Sequence, residues 1–370
     1  MFAKTKPSHA RQSNGSDAEV SAPVVLEQLV RQAEQAGASD IHLQMRGKLA
    51  DVAFRLDGVL SPARTLPEEV AERVFGRIKF LARLKTYQET MPQEGRISHD
   101  ELKSKNDIRV ATYPTVTGEK IVLRLFNPET AKSLEELALP GEAHAQLEHF
   151  LRQTTGLLLL TGPAGSGKTT TIYSCLRRLA DLGGRHIITI EDPVEQIVPG
   201  TMQTEVNEAI GLDFARAARH LLRQDPQVLI LGEIRDDATA QLAIRAGLTG
   251  HLVISTLHAG SCRGVIERLF TMSADHSAIA SALELVLNQR LIRKVCSRCD
   301  GGGCESCLQT GYGGRLPLVE WFRVDEPARS RIRCGDAGCI TAPYPLIDLA
   351  RSLVQQGVTD EKEFKRIFGL

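Results

Sequence analysis

The sequence predicts an α/β protein of more than one domain, on three observations. Between residues 141 and 290, short continuous apolar runs alternate with helical text, the signature of a parallel sheet buried on both faces. Between residues 21 and 126, strand-like segments alternating in period two surround two helical stretches, which reads as a smaller α+β domain. At 370 residues the chain exceeds one ordinary domain, and its 42% apolar and 24% charged residues can supply sizeable cores.

The elements follow in order. Residues 1–20 are polar and aperiodic, and are expected to form a disordered tail. Val24, Leu26, Leu29, Val30 and Ala33 share one helical face that stops at Gly37. DIHLQM and ADVAFRLDGVL read as strands. PEEVAERVFGRIKFLARL predicts a helix, because Val70, Val74, Ile78 and Leu81 recur every three to four residues. GRIS, DIRVATYP and EKIVLRLF complete the α+β domain, the last two joined through Thr117-Gly118. Residues 127–140, with Pro128 and Pro140, read as a linker. Helices AHAQLEHFLRQ, TTIYSCLRRLADLG, ARAARHLLRQD and ATAQLAIRAG then alternate with strands GLLLLTG, HIITIED, QVLILGE and HLVISTLH. Residues 291–370 carry a cysteine cluster and end in helical text, a small appended region. No internal repeat is visible.

Gly162-Pro163-Ala164-Gly165-Ser166-Gly167-Lys168-Thr169 fits G-x-x-x-x-G-K-[ST], with an apolar strand before it and a helix through Thr170 after it. In that context the backbone N–H groups of the turn and of the helix N-terminus surround phosphate oxygens. Lys168 would place its charge on the β- and γ-phosphates, and the Thr169 hydroxyl would ligate Mg²⁺. A second apolar strand, Val228–Leu231, ends in Gly232-Glu233. At the carboxyl end of a parallel strand, Glu233 is placed to hold the Mg²⁺ shell through water or to polarise an attacking water. A third strand delivers Glu191 and Asp192 to the same edge, and a fourth delivers Thr256 and His258.

HIITIEDPVE, LLRQDPQVLILGEIRD and LTGHLVISTLHAG resemble the aspartate box, Walker B segment and histidine box of the secretion ATPases, which power type II secretion and type IV pilus assembly or retraction. ASDIH, FRLDGVL, PQEGRI and DIRV…GEKIVLRLF resemble the domain that precedes the ATPase core of that family. The resemblance spans about residues 22 to 322. It implies a RecA-like P-loop ATPase core, a preceding PAS-like α+β domain, and ATP and Mg²⁺ as substrate and cofactor. It gives Glu233 the Walker B role, Glu191 the orientation of water or metal, and His258 the sensing of the γ-phosphate. Arg96, Arg109, Arg219 and Arg223 match arginines that the family brings towards the nucleotide, where guanidinium groups spread over phosphate oxygens. Arg109 alternates with Ile108 and Val110, which puts it on the opposite sheet face from them.

The sequence departs from the family in three places. The histidine box continues as His258-Ala259-Gly260, Gln44 stands where a glutamate often follows DIHL, and about 20 residues precede the first domain. The last of these leads to the expectation that the further N-terminal docking domain of many members is absent.

Cys296, Cys299, Cys304 and Cys307 form two C-x-x-C pairs separated by Asp300-Gly301-Gly302-Gly303. Two such turns complete a tetrahedral Cys₄ site, expected to hold structural zinc, with a redox dithiol or unligated thiols as alternatives. Three consecutive glycines accept the sharp return that the short gap demands. Cys175 and Cys262 are expected to be buried thiols, and Cys334 and Cys339 carry no assignment.

Lysine plus arginine equals aspartate plus glutamate, 45 against 45, which argues against a protein coating nucleic acid through bulk charge. No apolar run is long enough to cross a bilayer, and the N-terminus lacks the apolar block of a signal peptide. The resemblance therefore implies a cytoplasmic homo-hexamer, peripheral at the inner membrane through a platform protein, with no direct nucleic-acid partner. Competing readings are a DNA-uptake pilus motor of the same family, an ATP-binding scaffold without turnover, and a nucleic-acid translocase on the same core.

Overall fold

The computed structural model describes residues 21–105, 107–125 and 132–369. The tail expected over residues 1–20 and the first part of the expected linker, residues 127–131, lie outside them. The chain divides into two compact units, Met1–Pro128 with Cys304–Thr310, and Glu129–Gly303 with Gly311–Leu370.

The first unit runs α1 (Ala22–Gln35), β1 (Asp40–Arg46), β2 (Leu49–Leu56), β3 (Val59–Pro67), α2 (Glu68–Leu81), β4 (Gln93–Ile97), the short α3 (His99–Leu102), β5 (Ile108–Thr115) and β6 (Gly118–Leu125). Its strands form an antiparallel sheet in the order β3-β2-β1-β6-β5-β4. Val25, Leu26, Leu29, Val30 and Ala33 of α1 are buried, as are Val70, Val74, Ile78 and Leu81 of α2. Both helices form because these positions fall on one face and sink into a shared core with Ile41, Leu43, Ile121 and Leu123. Burying each such aliphatic side chain contributes about 1.5–3 kcal/mol.

Three of the motif segments meet in one ion cluster. Asp40 of ASDIH is buried, and Arg55 of FRLDGVL and Arg124 of EKIVLRLF hold its two oxygens at 3.2 and 3.1 Å. A second buried pair interrupts the apolar face of α2: Lys79 is 1% exposed and meets Glu119 at 2.7 Å. Burial pushes the Glu119 carboxyl up, and the Lys79 ammonium opposes that shift.

The second unit runs α4 (Gly141–Leu151), β7 (Gly156–Thr161), α5 (Lys168–Leu182), β8 (Ile187–Glu191), β9 (Met202–Glu205), α6 (Phe214–Leu221), β10 (Val228–Ile234), α7 (Asp237–Leu248), β11 (Leu252–Leu257), α8 (Cys262–Met272) and α9 (His276–Ala282). It continues through β12 (Leu283–Val295), β13 (Tyr312–Arg323), α10 (Glu326–Arg333), α11 (Leu346–Gln355) and α12 (Glu361–Phe368). The sheet order is β13-β12-β7-β11-β10-β8-β9, parallel throughout except for the β12–β13 hairpin. Every residue of β7 and of β11 is buried, because helices cover both faces of the sheet.

The structure corrects the expected domain boundaries in two ways. The limit at residue 290 falls inside β12, whose Leu283–Asn288 stretch pairs in parallel with β7. The appended region is therefore not separate from the core: β13 extends the core sheet, and α11 and α12 pack on the hairpin through Ile292, Leu318, Leu346, Ala350 and Phe364. The later part of the expected linker also belongs to the second unit, since Leu134 and Leu137 are buried in its core.

Candidate functional site

The glycine-rich loop leaves β7 at Thr161 and enters α5 at Lys168. Gly162, Gly165 and Gly167 all have positive φ, at 134°, 73° and 93°. These angles turn the chain tightly between β7 and the N-terminus of α5. Pro163, Ala164, Gly165, Thr169 and Thr170 are exposed, whereas Ser166 is buried. The Ser166 hydroxyl oxygen has no hydrogen-bond partner among the described residues. The Lys168 ammonium reaches back over the loop and donates to the Gly162 and Pro163 carbonyls at 2.8 and 3.0 Å. Burial pulls the Lys168 pKa below its ordinary value, and the charge of Glu233 opposes that shift. A curled loop, an orphan hydroxyl and a cation within reach fit a polyphosphate with Mg²⁺ on Thr169.

Glu233 lies in β10, on the same sheet edge. One of its oxygens accepts from His258 Nε2 at 2.8 Å, and the other accepts from Arg235 Nε at 2.8 Å. Arg235 also meets Asp192 at 3.3 Å. His258, Glu233, Arg235 and Asp192 therefore form one continuous chain across three strand ends. Sequence reasoning missed Arg235, although its position two residues after Glu233 in GEIRD was a usable signal, since period two sends i and i+2 to one face.

Glu191 is placed differently from Asp192. It is 8% exposed, and its carboxylate accepts from Tyr173 of α5, from Thr189 at 2.5 Å and from Gln203 at 3.0 Å. Burial, together with the bond to Glu191, pushes the Tyr173 hydroxyl well above its ordinary pKa. Glu191 thus stands in an internal network that ties β8 to α5.

The four arginines are distributed over both units. Arg96 and Arg109 face each other across β4 and β5 of the first unit, and Arg96 pairs with Asp107 at 2.6 Å. Ile108 and Val110 are buried while Arg109 is partly exposed, as the alternation required. Arg219 on α6 and Arg223 just beyond it are exposed in the second unit, and Arg223 donates to the Arg219 carbonyl at 3.2 Å.

The cysteine cluster occupies the loop between β12 and β13. The sulfur atoms of Cys296, Cys299, Cys304 and Cys307 all lie within 4.8 Å of one another, and Cys304 and Cys307 are 3.7 Å apart. A tetrahedral site with Zn–S near 2.3 Å needs sulfurs about 3.8 Å apart, so the four residues fit zinc. The return between the pairs uses positive φ at Asp300, Gly301 and Gly303. Among the described residues, Glu135, His144 and Glu148 also bring ligand atoms within 4.8 Å, but Arg178 takes both Glu148 oxygens at 2.8 and 3.3 Å. That second group is an ion-pair cluster. Cys175 and Cys262 are buried, and burial pushes the Cys262 thiol well up.

Comparison with known proteins supplies the context. A family model described as type II/IV secretion system protein matches residues 15–366. The chain is 41% identical over 332 residues to the type II secretion system protein HxcR of Pseudomonas aeruginosa, covering 87% of this chain and 71% of that protein. It is 38% identical over 345 residues to the type IV pilus assembly ATPase PilB of Thermus thermophilus, covering 86% and 39%. Among solved structures it resembles the pilus retraction motor PilT with bound ADP, at TM-score 0.66 and 27% identity over 94% of this chain and 97% of that one. The Legionella pneumophila ATPase DotB shares the fold at TM-score 0.71 and 21% identity, over 94% and 96%.

Proposed function

The chain belongs to the type II/IV secretion system protein family, and from that premise we propose that it is the ATP-hydrolysing motor of a secretion or pilus-assembly system. One observation carries the reading: Glu233 and His258 are in contact at 2.8 Å on the sheet edge whose neighbouring strand leads into the Lys168 loop. An acid and a proton donor joined beside a phosphate-binding turn are what water attack on a γ-phosphate requires.

In this reading Gly162–Thr170 cradle the triphosphate and Lys168 exchanges its two loop carbonyls for phosphate oxygens. The Thr169 hydroxyl would hold Mg²⁺, which would supply neutralisation of the phosphate charge. His258 shares an oxygen of Glu233, so a γ-phosphate that draws the Nε2 hydrogen frees that oxygen to take a proton from water. Arg235 keeps the other oxygen fixed during the change. Water then adds to the γ-phosphorus as the bond to the bridging oxygen breaks, giving ADP and phosphate. Arg96, Arg109, Arg219 and Arg223 would stabilise the developing charge once copies of the chain assemble, and Glu191 would hold β8 in place from beneath.

The motor would act as a homo-hexamer on an inner-membrane platform protein from the cytoplasmic side, adding pilin-like subunits to a fibre. No described helix is long and apolar enough to cross a membrane, which is compatible with attachment through a partner. Zinc would hold the Cys296–Cys307 loop and take no part in hydrolysis, since four thiolates leave no open position for water. The test is Mg-dependent ATP hydrolysis by the purified, assembled chain against Lys168→Ala. Equal rates in the two would remove the proposal.

A further inference from the structure

β12 runs beside β7 in parallel, with Leu287 opposite Leu160 and Asn288 opposite Thr161. β7 stops at Thr161, but β12 continues to Val295. Gln289 is therefore the first residue of β12 to stand behind the phosphate loop instead of behind a strand. It is 3% exposed, and Asn288 is 1% exposed. Two adjacent buried amides in a core strand carry a desolvation cost that apolar residues would avoid.

Their contacts divide between two parts of the site. The Gln289 side chain accepts from the Thr171 hydroxyl of α5 at 3.1 Å. A Cβ on Gly162 would lie 2.2 Å from the Gln289 carbonyl oxygen, and one on Gly167 would lie 3.1 Å from the Gln289 amide nitrogen. Both ends of the loop are thus pressed against one residue. Asn288 points to the other face, as period two requires, and donates to the Gly260 carbonyl at 3.1 Å. Thr161, its neighbour across the ladder, accepts from the Ala259 N–H and donates to the Ala259 carbonyl, both at 2.8 Å. This second set of bonds fixes the turn that carries His258.

We propose that Gln289 and Asn288 are positioning residues with separate tasks: Gln289 sets the curvature of the phosphate loop, and Asn288 sets the His258 turn. Neither task has a signal in the local sequence, because NQRLIRKV reads as mixed polar text. The inference rests on the ATPase reading and deepens it. Loss of the Gln289 side chain frees Thr171 and the Gly167 end of the loop, while the main-chain carbonyl still packs on Gly162, and lowers nucleotide affinity. Loss of Asn288 lets the His258 turn drift while the loop stays closed, and lowers turnover.

The experiment measures equilibrium binding of a fluorescent ATP analogue and steady-state hydrolysis separately, on the full assembled chain. Gln289→Ala and Thr171→Val should each weaken binding about tenfold, the scale of one buried hydrogen bond. Thr171→Ser, which keeps the hydroxyl, should bind like the unaltered chain. The Gln289→Ala/Thr171→Val double variant should lose less than the sum of the two single losses, since both remove the Gln289–Thr171 bond, while Thr171→Val also removes the bond to the Gly167 carbonyl at 3.2 Å. Asn288→Ala should lower kcat about tenfold with affinity unchanged. Binding by Gln289→Ala equal to that of the unaltered chain would overturn the inference alone. So would parallel losses of affinity and kcat in both the Gln289 and Asn288 variants, which would mean general loosening of β12. Absence of binding by the unaltered chain would overturn the ATPase reading and this inference with it.

Discussion

His258 donates its Nε2 hydrogen to Glu233 at 2.8 Å, and Arg235 takes the opposite oxygen of the same carboxylate at 2.8 Å. The acid is thus held on both sides, by one group that can be drawn away and one that cannot leave without breaking its bond to Asp192. In the proposed mechanism, Glu233→Gln keeps the shape and loses the proton acceptor. Steady-state hydrolysis should fall by about a hundred- to a thousandfold, while nucleotide affinity measured by equilibrium binding should stay within about threefold.

Tyr173 joins α5 to β8 by donating to Glu191 and accepting from the Glu195 and Gln196 N–H groups at 2.9 and 3.2 Å. Tyr173→Phe strands two backbone donors and one carboxylate oxygen. Stability should drop by about 1–3 kcal/mol, read from denaturant unfolding. An unchanged midpoint would mean that water satisfies all three groups.

The cysteine loop should bind one zinc per chain, measured by elemental analysis of the purified protein. Cys299→Ser or Cys304→Ser should abolish that content and lower the unfolding temperature, and a strong chelator should lower it in the unaltered chain. Full zinc content in either variant would show that these thiolates are not the ligands.

Glu363 is expected to carry an acid sensitivity of the C-terminal helices. It is fully buried, accepts from Arg293 Nη2 at 2.7 Å and from Arg366 Nε at 2.6 Å, and so fastens α12 to β12. Burial pushes its carboxyl up, but the bonds from Arg366 and Arg293 outweigh that and hold it below the usual 4.5. Because the folded pKa is the lower one, the stability Glu363 contributes is complete above about pH 4.5 and is lost as pH falls through the folded value. Glu363→Gln should cost about 3–5 kcal/mol at neutral pH, as expected when one partner of a buried pair is removed. It should also flatten the acid limb of a stability-against-pH curve. A limb of unchanged slope would place the sensitivity elsewhere.

Much of the fold was legible because local patterns had a single physical solution. Leu157–Leu160 and Leu252–Ser255, short and set between helical segments, fit strands buried on both faces, and the glycines at 162, 165 and 167 between a strand and a helix fit a tight phosphate turn. Lys79 was not legible as a buried residue. It sits on the apolar stripe of α2, where a lysine would ordinarily extend to water, and the partner that allows burial, Glu119, lies in a strand 40 residues away. The end of β12, from residue 291, and all of β13 fall in the expected appended region for a similar reason. Asn288, Gln289, Arg290 and Arg293 break the apolar run, and only the neighbours they meet in three dimensions make a strand of them.

The sequence by itself determined the chemistry: which strand ends carry acids, where a phosphate loop joins strand to helix, and which four thiols share a loop. Its rules are those of spacing and backbone geometry, and they act within a few residues. Tertiary structure alone decided which acid faces the cleft and which turns inward. Glu191 and Asp192 are adjacent in the chain, yet one bonds to Tyr173 inside the fold and the other to Arg235 at the strand ends. That division follows from partners brought in by α5 and β10, and no local pattern encodes where those partners will stand.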